Sequence, residues 1–139
     1  MKIGLSSYSM DRAIRSGSQT ILEVMDFAHK EGASHIELVP FGFTLYDEKN
    51  DAFNEPLIAA IRNKSKELSL PVSNYAVLGD LLRPDADAYR AELSRLMRHI
   101  DVAEKLGIRQ MRHDVASFRR PLQSNTARDF EREFARMAE

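Results

Sequence analysis

The most constraining feature of the sequence is a helix-to-strand unit that repeats along the chain. Residues 28–32 (AHKEG) align with residues 103–107 (AEKLG), and a weaker copy, residues 65–69 (SKELS), lies between them. Each copy ends a helix-like pattern and leads within a few residues into a strand-like one. Glycine ends the two clear copies, as expected where a helix C-terminus needs a positive φ. The chain is therefore predicted to be a series of β-α units.

Four strands are predicted, at approximately residues 2–7, 35–39, 71–77 and 108–115. They alternate with helices in the order βαβαβαβα, and their starts are about 33 to 37 residues apart. Strands joined by crossover helices run parallel, because each helix returns the chain to the same end of the sheet. Two architectures satisfy this order: a doubly wound open sheet, and a (βα)8 barrel of which four units form half.

The helices are predicted from the spacing of apolar residues. The three apolar stripes contain Ile21, Met25 and Ala28 in the first helix, Leu57, Ile61 and Leu68 in the second, and Leu93, Leu96, Met97, Ile100 and Ala103 in the third. Thr20 and Glu23 have the spacing of a capping box. Ser124 or Asn125 is the candidate cap of a last helix that runs toward Met137.

A count of five residues from the end of each repeat copy sets which side chains share a face of the sheet. The count reaches Glu37, Asn74 and Arg112. Because side chains alternate along a strand, Ile36 and Leu38 point to the opposite face from Glu37. A parallel sheet covered by helices on both sides is apolar on both faces. One polar face therefore favours the barrel, with Glu37 near the carboxyl end of its strand, where barrel enzymes keep their chemistry.

Composition excludes several classes of function. The 139 residues contain 20 Lys and Arg against 21 Asp and Glu and no cysteine, so the charge is balanced and neither a disulfide nor a thiolate zinc site can form. The balanced charge predicts no nucleic-acid partner. No membrane partner is predicted, because no apolar run approaches the roughly 18 residues of a membrane span. We expect one cytoplasmic domain covering residues 1–139. The motifs HExxH, GxGxxG and the P-loop are absent from the sequence.

Several stretches resemble the sugar phosphate isomerase/epimerase family. They are residues 3–8 (IGLSSY), residues 28–32 leading into residues 35–38 (HIEL), and residues 103–107 before residues 111–114 (MRHD). This family belongs to the xylose-isomerase-like barrels, together with hydroxypyruvate isomerase, inosose dehydratase, dehydroshikimate dehydratase and endonuclease IV. The resemblance covers nearly the whole chain. It implies an α/β fold, the (βα)4 N-terminal half of a (β/α)8 TIM barrel, with parallel strands and outer helices.

The resemblance also implies a reaction. It is metal-assisted proton abstraction next to the carbonyl of a sugar or sugar phosphate, through an enediolate. In the family a divalent ion (Mn, Mg, Zn or Co) is held by carboxylates and a histidine from the later strands, five to eight. We therefore expect no metal ligand among these residues, and we expect this chain alone to be inactive.

Six residues are candidates for the site. The resemblance makes Glu37 the catalytic or substrate-orienting acid at the end of the second strand. The candidate substrate-binding residues are Ser6, Asn74, Arg112, His113 and Asp114. An ordinary strand-end ion pair or turn is the competing explanation for each, and His113 has the opposite parity to Arg112 and Asp114, which favours packing or a hydrogen bond under a helix.

Other functions stay open at this point. A dehydratase of the same superfamily begins with the same proton abstraction. A half-barrel without chemistry of its own is the alternative from another class, and it would self-associate through the exposed edges of the first and fourth strands into a homo-oligomer. The balanced charge disfavours DNA repair of the endonuclease IV type.

Two loops carry further hypotheses. A connection of about fourteen residues begins at Phe41, and its aromatic residues would stack on a sugar ring, cover the core or meet a partner chain. Arg119 and Arg120 follow the fourth strand and are candidates for binding a phosphate.

Overall fold

A four-stranded parallel sheet organises the computed structural model, which describes residues 1–83, 85–117, 131, 134 and 135. The strand order is β1-β2-β5-β6, and the pairs β1-β2 and β2-β5 are parallel. The described helices and strands are β1 (Gly4–Ser6), α1 (Asp11–Arg15), α2 (Ile21–Lys30), β2 (His35–Leu38), β3 (Tyr46–Asp47), β4 (Ala52–Phe53), α3 (Glu55–Glu67), β5 (Val72–Val77), α4 (Ala86–Leu106) and β6 (Met111–His113). A 3-10 turn, Ser7–Met10, follows β1.

The predicted alternation of strands and helices is confirmed for the four strands of the main sheet. The chain is a mixed α/β protein with a parallel sheet and helices, which is compatible with half of an α/β barrel. Two features were not predicted: the short helix α1 after the first strand, and a two-stranded antiparallel hairpin, β3-β4, in the connection after β2. The strands are shorter than predicted, and β6 has three residues.

The local signals at the ends of α2 are confirmed. Thr20 Oγ1 accepts a hydrogen bond from the Glu23 N–H at 3.2 Å, and Glu23 Oε2 accepts one from the Thr20 N–H at 2.6 Å. These two bonds form the predicted capping box. Gly32 and Gly107 have φ values of 80° and 74°, so both helix ends use the left-handed conformation for which glycine is suited.

The core lies on one face of β2. Ile36 and Leu38 have no exposed surface, whereas His35 and Glu37 are half-buried. The predicted stripe of α2 is buried, as is Ile61 of the predicted stripe of α3. Ile58 is buried in α3 in place of Leu57, which is half-buried, as is Leu68 after the helix. The alternation within β2 therefore separates an apolar face from a more polar one, as the sequence predicted.

The predicted stripe of α4 is wrong in part. Leu93, Met97 and Ile100 were assigned to the core, but they are 39%, 57% and 56% exposed. The buried residues of this helix are Glu92, Leu96, His99, Val102, Ala103 and Leu106. Hydrophobic periodicity places the stripe incorrectly here, because the buried face includes one carboxylate and one imidazole.

The connection after β2 folds against α4. The Tyr46 and His99 rings are 5.7 Å apart and nearly perpendicular, and Arg98 donates a hydrogen bond to Asp51 at 2.9 Å. Asp51 also accepts from the Tyr46 hydroxyl, and the Arg98 guanidinium lies 6.0 Å from the centre of the Phe53 ring. Tyr46 and Phe53 are thus packed within the chain.

The chain divides into two compact units. The first contains Met1–Val77 and Arg98–Arg112, and the second contains Leu78–Met97 and His113–Glu139. The single-domain organisation stays a prediction. The predicted last helix with its cap at Ser124 or Asn125, and the candidate phosphate ligands Arg119 and Arg120, lie outside the described residues. Within the described helices, none combines the length and apolar character needed to cross a bilayer.

Candidate functional site

Three polar side chains form a hydrogen-bonded row across β1, β2 and β5. Ser6 pairs with Glu37 in the sheet, and Glu37 pairs with Asn74. The Ser6 hydroxyl donates to Glu37 Oε2 at 2.6 Å, and Asn74 Nδ2 donates to Glu37 Oε1 at 2.8 Å. All three residues are half-buried. We call these three residues the polar row.

The direction of the Ser6 hydroxyl follows from the turn after β1. Ser6 is the N-cap of the 3-10 turn, and its Oγ accepts the Tyr8 N–H at 3.3 Å. Because that contact occupies a lone pair of the hydroxyl oxygen, the hydroxyl proton is left for Glu37. The cap therefore orients one of the two donors to the carboxylate.

A β-bulge brings Asn74 opposite Glu37. Ile36 pairs with Val72, but the next residue, Glu37, pairs with Asn74, so Ser73 is the extra residue in β5. The Ser73 hydroxyl donates to the Ile36 carbonyl oxygen at 3.2 Å. Without the bulge, Ser73 would lie opposite Glu37 and the amide donor would be displaced.

Ser7 joins the ends of the first two strands. Its hydroxyl donates to the Val39 carbonyl oxygen at 3.1 Å and accepts the Val39 N–H at 2.8 Å, and its side chain is buried. Both hydrogen-bonding roles of this hydroxyl are thus occupied by backbone. Ser7 supports the polar row, because it holds the chain just beyond Ser6 against the chain just beyond Glu37.

The groups that donate hydrogen bonds to the Glu37 carboxylate are electrically neutral. Both carboxylate oxygens accept hydrogen bonds, one from a hydroxyl and one from an amide, and no ion pair involving Glu37 occurs among the described residues. Such donors fix the orientation of a carboxylate and leave its negative charge uncompensated. A carboxylate of this kind can accept the hydrogen of a ligand hydroxyl or take up a proton.

An aromatic pair follows the first two strands of the row. The Tyr8 and Phe41 rings are 5.7 Å apart in an edge-to-face arrangement, and the Arg15 guanidinium lies 5.0 Å from the centre of the Phe41 ring. Tyr8 is 60% exposed. Sequence analysis singled out Phe41 but missed Tyr8, because a single tyrosine in a turn carries no pattern.

The three candidates at the end of β6 are described only in part. Arg112 and His113 are exposed, Asp114 is half-buried, and His113 Nδ1 lies 3.1 Å from the Asp114 carbonyl oxygen. His113 was expected to pack or to form a hydrogen bond under a helix; it is exposed, and its ring contacts the neighbouring Asp114 backbone. The ligand-binding roles of Arg112, His113 and Asp114 stay predictions.

The described residues do not fit a divalent metal. Among residues 1–83 and 85–117 and the three described positions beyond them, no three His, Asp or Glu side chains converge as a metal site requires. Glu37 is the only acid of the polar row, and Ser6 and Asn74 both donate hydrogen bonds to it.

Comparison of the chain with protein-family models finds no match, and none of the curated proteins matches it significantly. The family resemblance of the sequence motifs therefore remains a hypothesis.

Proposed function

We propose that this chain forms the substrate-facing part of a sugar or sugar-phosphate isomerase/epimerase of the xylose-isomerase-like barrel type. The observation that carries the proposal is the polar row, in which Glu37 is oriented by Ser6 and Asn74. A polyol that carries a carbonyl offers adjacent hydroxyl groups, and an oriented carboxylate is suited to accept their hydrogens. The separation of an apolar face from a polar one in β2 supports the barrel part of the proposal.

Glu37 acts on the substrate hydroxyl next to the carbonyl in this proposal. It accepts the hydroxyl hydrogen, which orients the carbon–carbon bond across which aldose and ketose forms interconvert. It can also exchange the proton at that oxygen as the carbonyl moves to the neighbouring carbon. Ser6 and Asn74 keep the carboxylate in one orientation, so its alignment is not lost when the substrate enters.

A divalent metal would polarise the carbonyl in an enzyme of this type, and the family resemblance implies its ligands on later strands. We propose no metal role for any residue of this chain. Its own contribution is therefore binding and orientation at Glu37, and we expect no turnover without those further groups.

The experiment is an NMR titration of 15N-labelled protein with unphosphorylated and phosphorylated aldoses and ketoses. We expect a saturable shift of the backbone signals of Ser6, Glu37 and Asn74. The substitution Glu37→Gln removes a charged hydrogen bond, so binding should weaken about tenfold or more. Glu104→Gln, at an exposed position of α4, is the matched control and should bind as the wild type does.

The proposal fails if no member of the sugar panel shifts the three signals, or if Glu37→Gln binds as tightly as the control. A dehydratase of the same superfamily is distinguished by its ligands. A cyclic polyol or a shikimate-like acid that saturates the row, with no response to open-chain sugars, would replace the isomerase assignment.

A second candidate function is a non-catalytic half-barrel that self-associates into a homo-oligomer. The observation that favours it is the sheet order, in which β1 and β6 each pair on one side only in the described sheet. Unpaired strand edges recruit further strands. A dimer mass by light scattering, together with no sugar binding at the row, would support this function, and a monomer at all concentrations would contradict it.

A further inference from the structure

A half-open cleft of about 260 Å3 lies where the end of α3, the start of β5 and the end of α4 meet. Its apolar lining includes Ile61, Leu106 and Ile108, and Ile61 has no exposed surface. Ser65 also lines it, but the Ser65 hydroxyl donates to the Leu70 carbonyl oxygen at 2.9 Å. The floor of the cleft is therefore apolar, and its serine is already engaged.

Two cations border this floor. Arg62 and Lys66 line the cleft from α3, both are exposed, and neither makes an ion pair or side-chain hydrogen bond with another described residue. Their spacing of four residues places them next to each other on one face of the helix. Among the described residues that line the cleft, none is acidic. The site thus combines an apolar floor with two adjacent, uncompensated positive charges in a protein whose net charge is −1.

The backbone N–H groups of Ile108 and Leu70 at the cleft are already hydrogen-bonded within the chain and do not bind an anion. The Ile108 N–H donates to the Ala103 carbonyl oxygen at 2.9 Å, and the Leu70 N–H donates to the Ser65 carbonyl oxygen at 3.0 Å. These bonds close the ends of α4 and α3. Among the described side chains that line the cleft, Arg62 and Lys66 are the donors that remain for a ligand.

We propose that this cleft binds a small carboxylate with an apolar body, such as an aromatic or branched-chain acid. The apolar body covers Ile61, Leu106 and Ile108, and the carboxylate lies between Arg62 and Lys66. Arginine binds carboxylates through two parallel hydrogen bonds, and the neighbouring lysine adds a second positive charge. The cleft is small, so the ligand is one ring or one short branched chain. This site is separate from the polar row and does not depend on the proposed function.

The experiment uses benzoate as the probe, with benzamide as its neutral analogue and inorganic phosphate as an anion without an apolar body. Titration of 15N-labelled protein with benzoate should shift the signals of residues 61–66 and 106–108 and reach saturation. Benzamide and phosphate should each bind at least tenfold more weakly, because each lacks one of the two matching parts.

Matched variants test the two cations. The double variant Arg62→Gln/Lys66→Gln should weaken benzoate binding at least tenfold, and each single variant should weaken it about threefold. Arg12→Gln/Lys30→Gln removes two cations at other exposed positions and should leave binding unchanged. All four positions are exposed, and circular dichroism checks that each variant folds.

Three results would overturn the proposal. The first is a benzoate response that does not saturate or does not include residues 61–66. The second is equal binding of benzoate and phosphate, which would indicate attraction by charge alone. The third is a double variant that binds benzoate as tightly as the control variant does.

Discussion

Two carboxylates, Glu37 and Glu92, are both held by several donors, but the donors differ in kind. Glu37 lies in the first compact unit and accepts hydrogen bonds from a hydroxyl and an amide. Glu92 lies in the second unit, is 5% exposed, and accepts from the guanidinium groups of Arg83 and Arg95. One carboxylate keeps its charge uncompensated, and the other is neutralised by arginines.

Glu92 and its hydrogen-bond partners Arg83, Arg95 and Asp80 form a cluster, the Glu92 cluster, which connects the first half of α4 to the segment after β5. Arg95 donates to both carboxylate oxygens, at 2.9 and 2.8 Å, and the Asp80 N–H donates at 2.8 Å. Arg95 also donates to the Leu78 carbonyl oxygen at 2.6 Å. Burial opposes ionisation of Glu92, but these hydrogen bonds and the charge of Arg95 prevail and lower its pKa to about 2.

The two carboxylates differ in how much of their charge is left for a further partner. A buried acid whose oxygens are matched by arginines stabilises the packing around it and has little charge left for a ligand. A half-buried acid held by neutral donors is oriented, yet it can still attract a hydroxyl group or a proton. Burial alone would rank Glu92 as the more unusual acid, whereas the neutral donors of Glu37 are the reason for which we propose a role in binding for it.

The largest expected effect is on folding stability. Glu92→Gln leaves the half-buried Arg95 guanidinium without the buried carboxylate that pairs with it, and we expect the free energy of unfolding to fall by about 3 kcal/mol. Glu37→Gln keeps a group that hydrogen-bonds to Ser6 and Asn74, so its loss should stay below about 1 kcal/mol. Urea unfolding at pH 7 measures both. Equal losses would remove the distinction between the two carboxylates.

Low pH should lower the folding stability of the second unit, because Glu92 becomes protonated. The folded pKa of Glu92 is about 2, below its usual value of 4.5, so its contribution is complete above pH 4.5 and is lost as the pH falls toward 2. We expect this loss to reach about 2 to 3 kcal/mol. Urea unfolding between pH 5 and pH 2.5 measures it. Glu92→Gln should flatten that part of the profile, and an unchanged slope in the variant would contradict the assignment to Glu92.

Asn74→Asp should give the opposite pH dependence. It places a second acid within hydrogen-bond distance of Glu37, and two such acids share a proton, so the pair takes up a proton more readily in the folded state than in the unfolded state. We expect the variant to lose about 1 to 2 kcal/mol at pH 7 and to recover part of that difference at pH 4 to 5. Asn63→Asp, at an exposed position of α3, is the control. A pH-independent loss would mean that the row tolerates a second charge by rearranging.

The polar row shows how far sequence patterns reach. The repeat count predicted that Glu37 and Asn74 share a face of the sheet, and they do, as direct partners across β2 and β5. The contact of Glu37 with Ser6 was not predicted. The bulge at Ser73, which makes this pairing possible, was not predicted. The count began at the end of the helix before each strand. The interval from Ser69 to Asn74 therefore includes the bulge residue Ser73, and the count still reached Asn74.

Helix α4 shows that sequence periodicity does not always predict which residues of a helix are buried. Sequence periodicity assigned Leu93, Met97 and Ile100 to the core, yet they are exposed, and Glu92 and His99 are buried. A polar side chain can be buried when distant residues supply its hydrogen bonds, and the His99 Nδ1 lies 2.8 Å from the Tyr75 hydroxyl. Tyr75 is 24 residues from His99 in the chain, so local spacing carries no signal of this contact.

By itself the sequence determined the order of parallel strands and helices, the capped and glycine-ended helix termini, and the parity that sets Glu37 apart from Ile36 and Leu38. Those features depend on residues within one turn or one strand of each other. Tertiary structure alone decided that Ser6 and Asn74 meet Glu37, which face of α4 is buried, and which segments form the cleft beside Arg62 and Lys66. Each of these depends on contacts between segments distant in the chain.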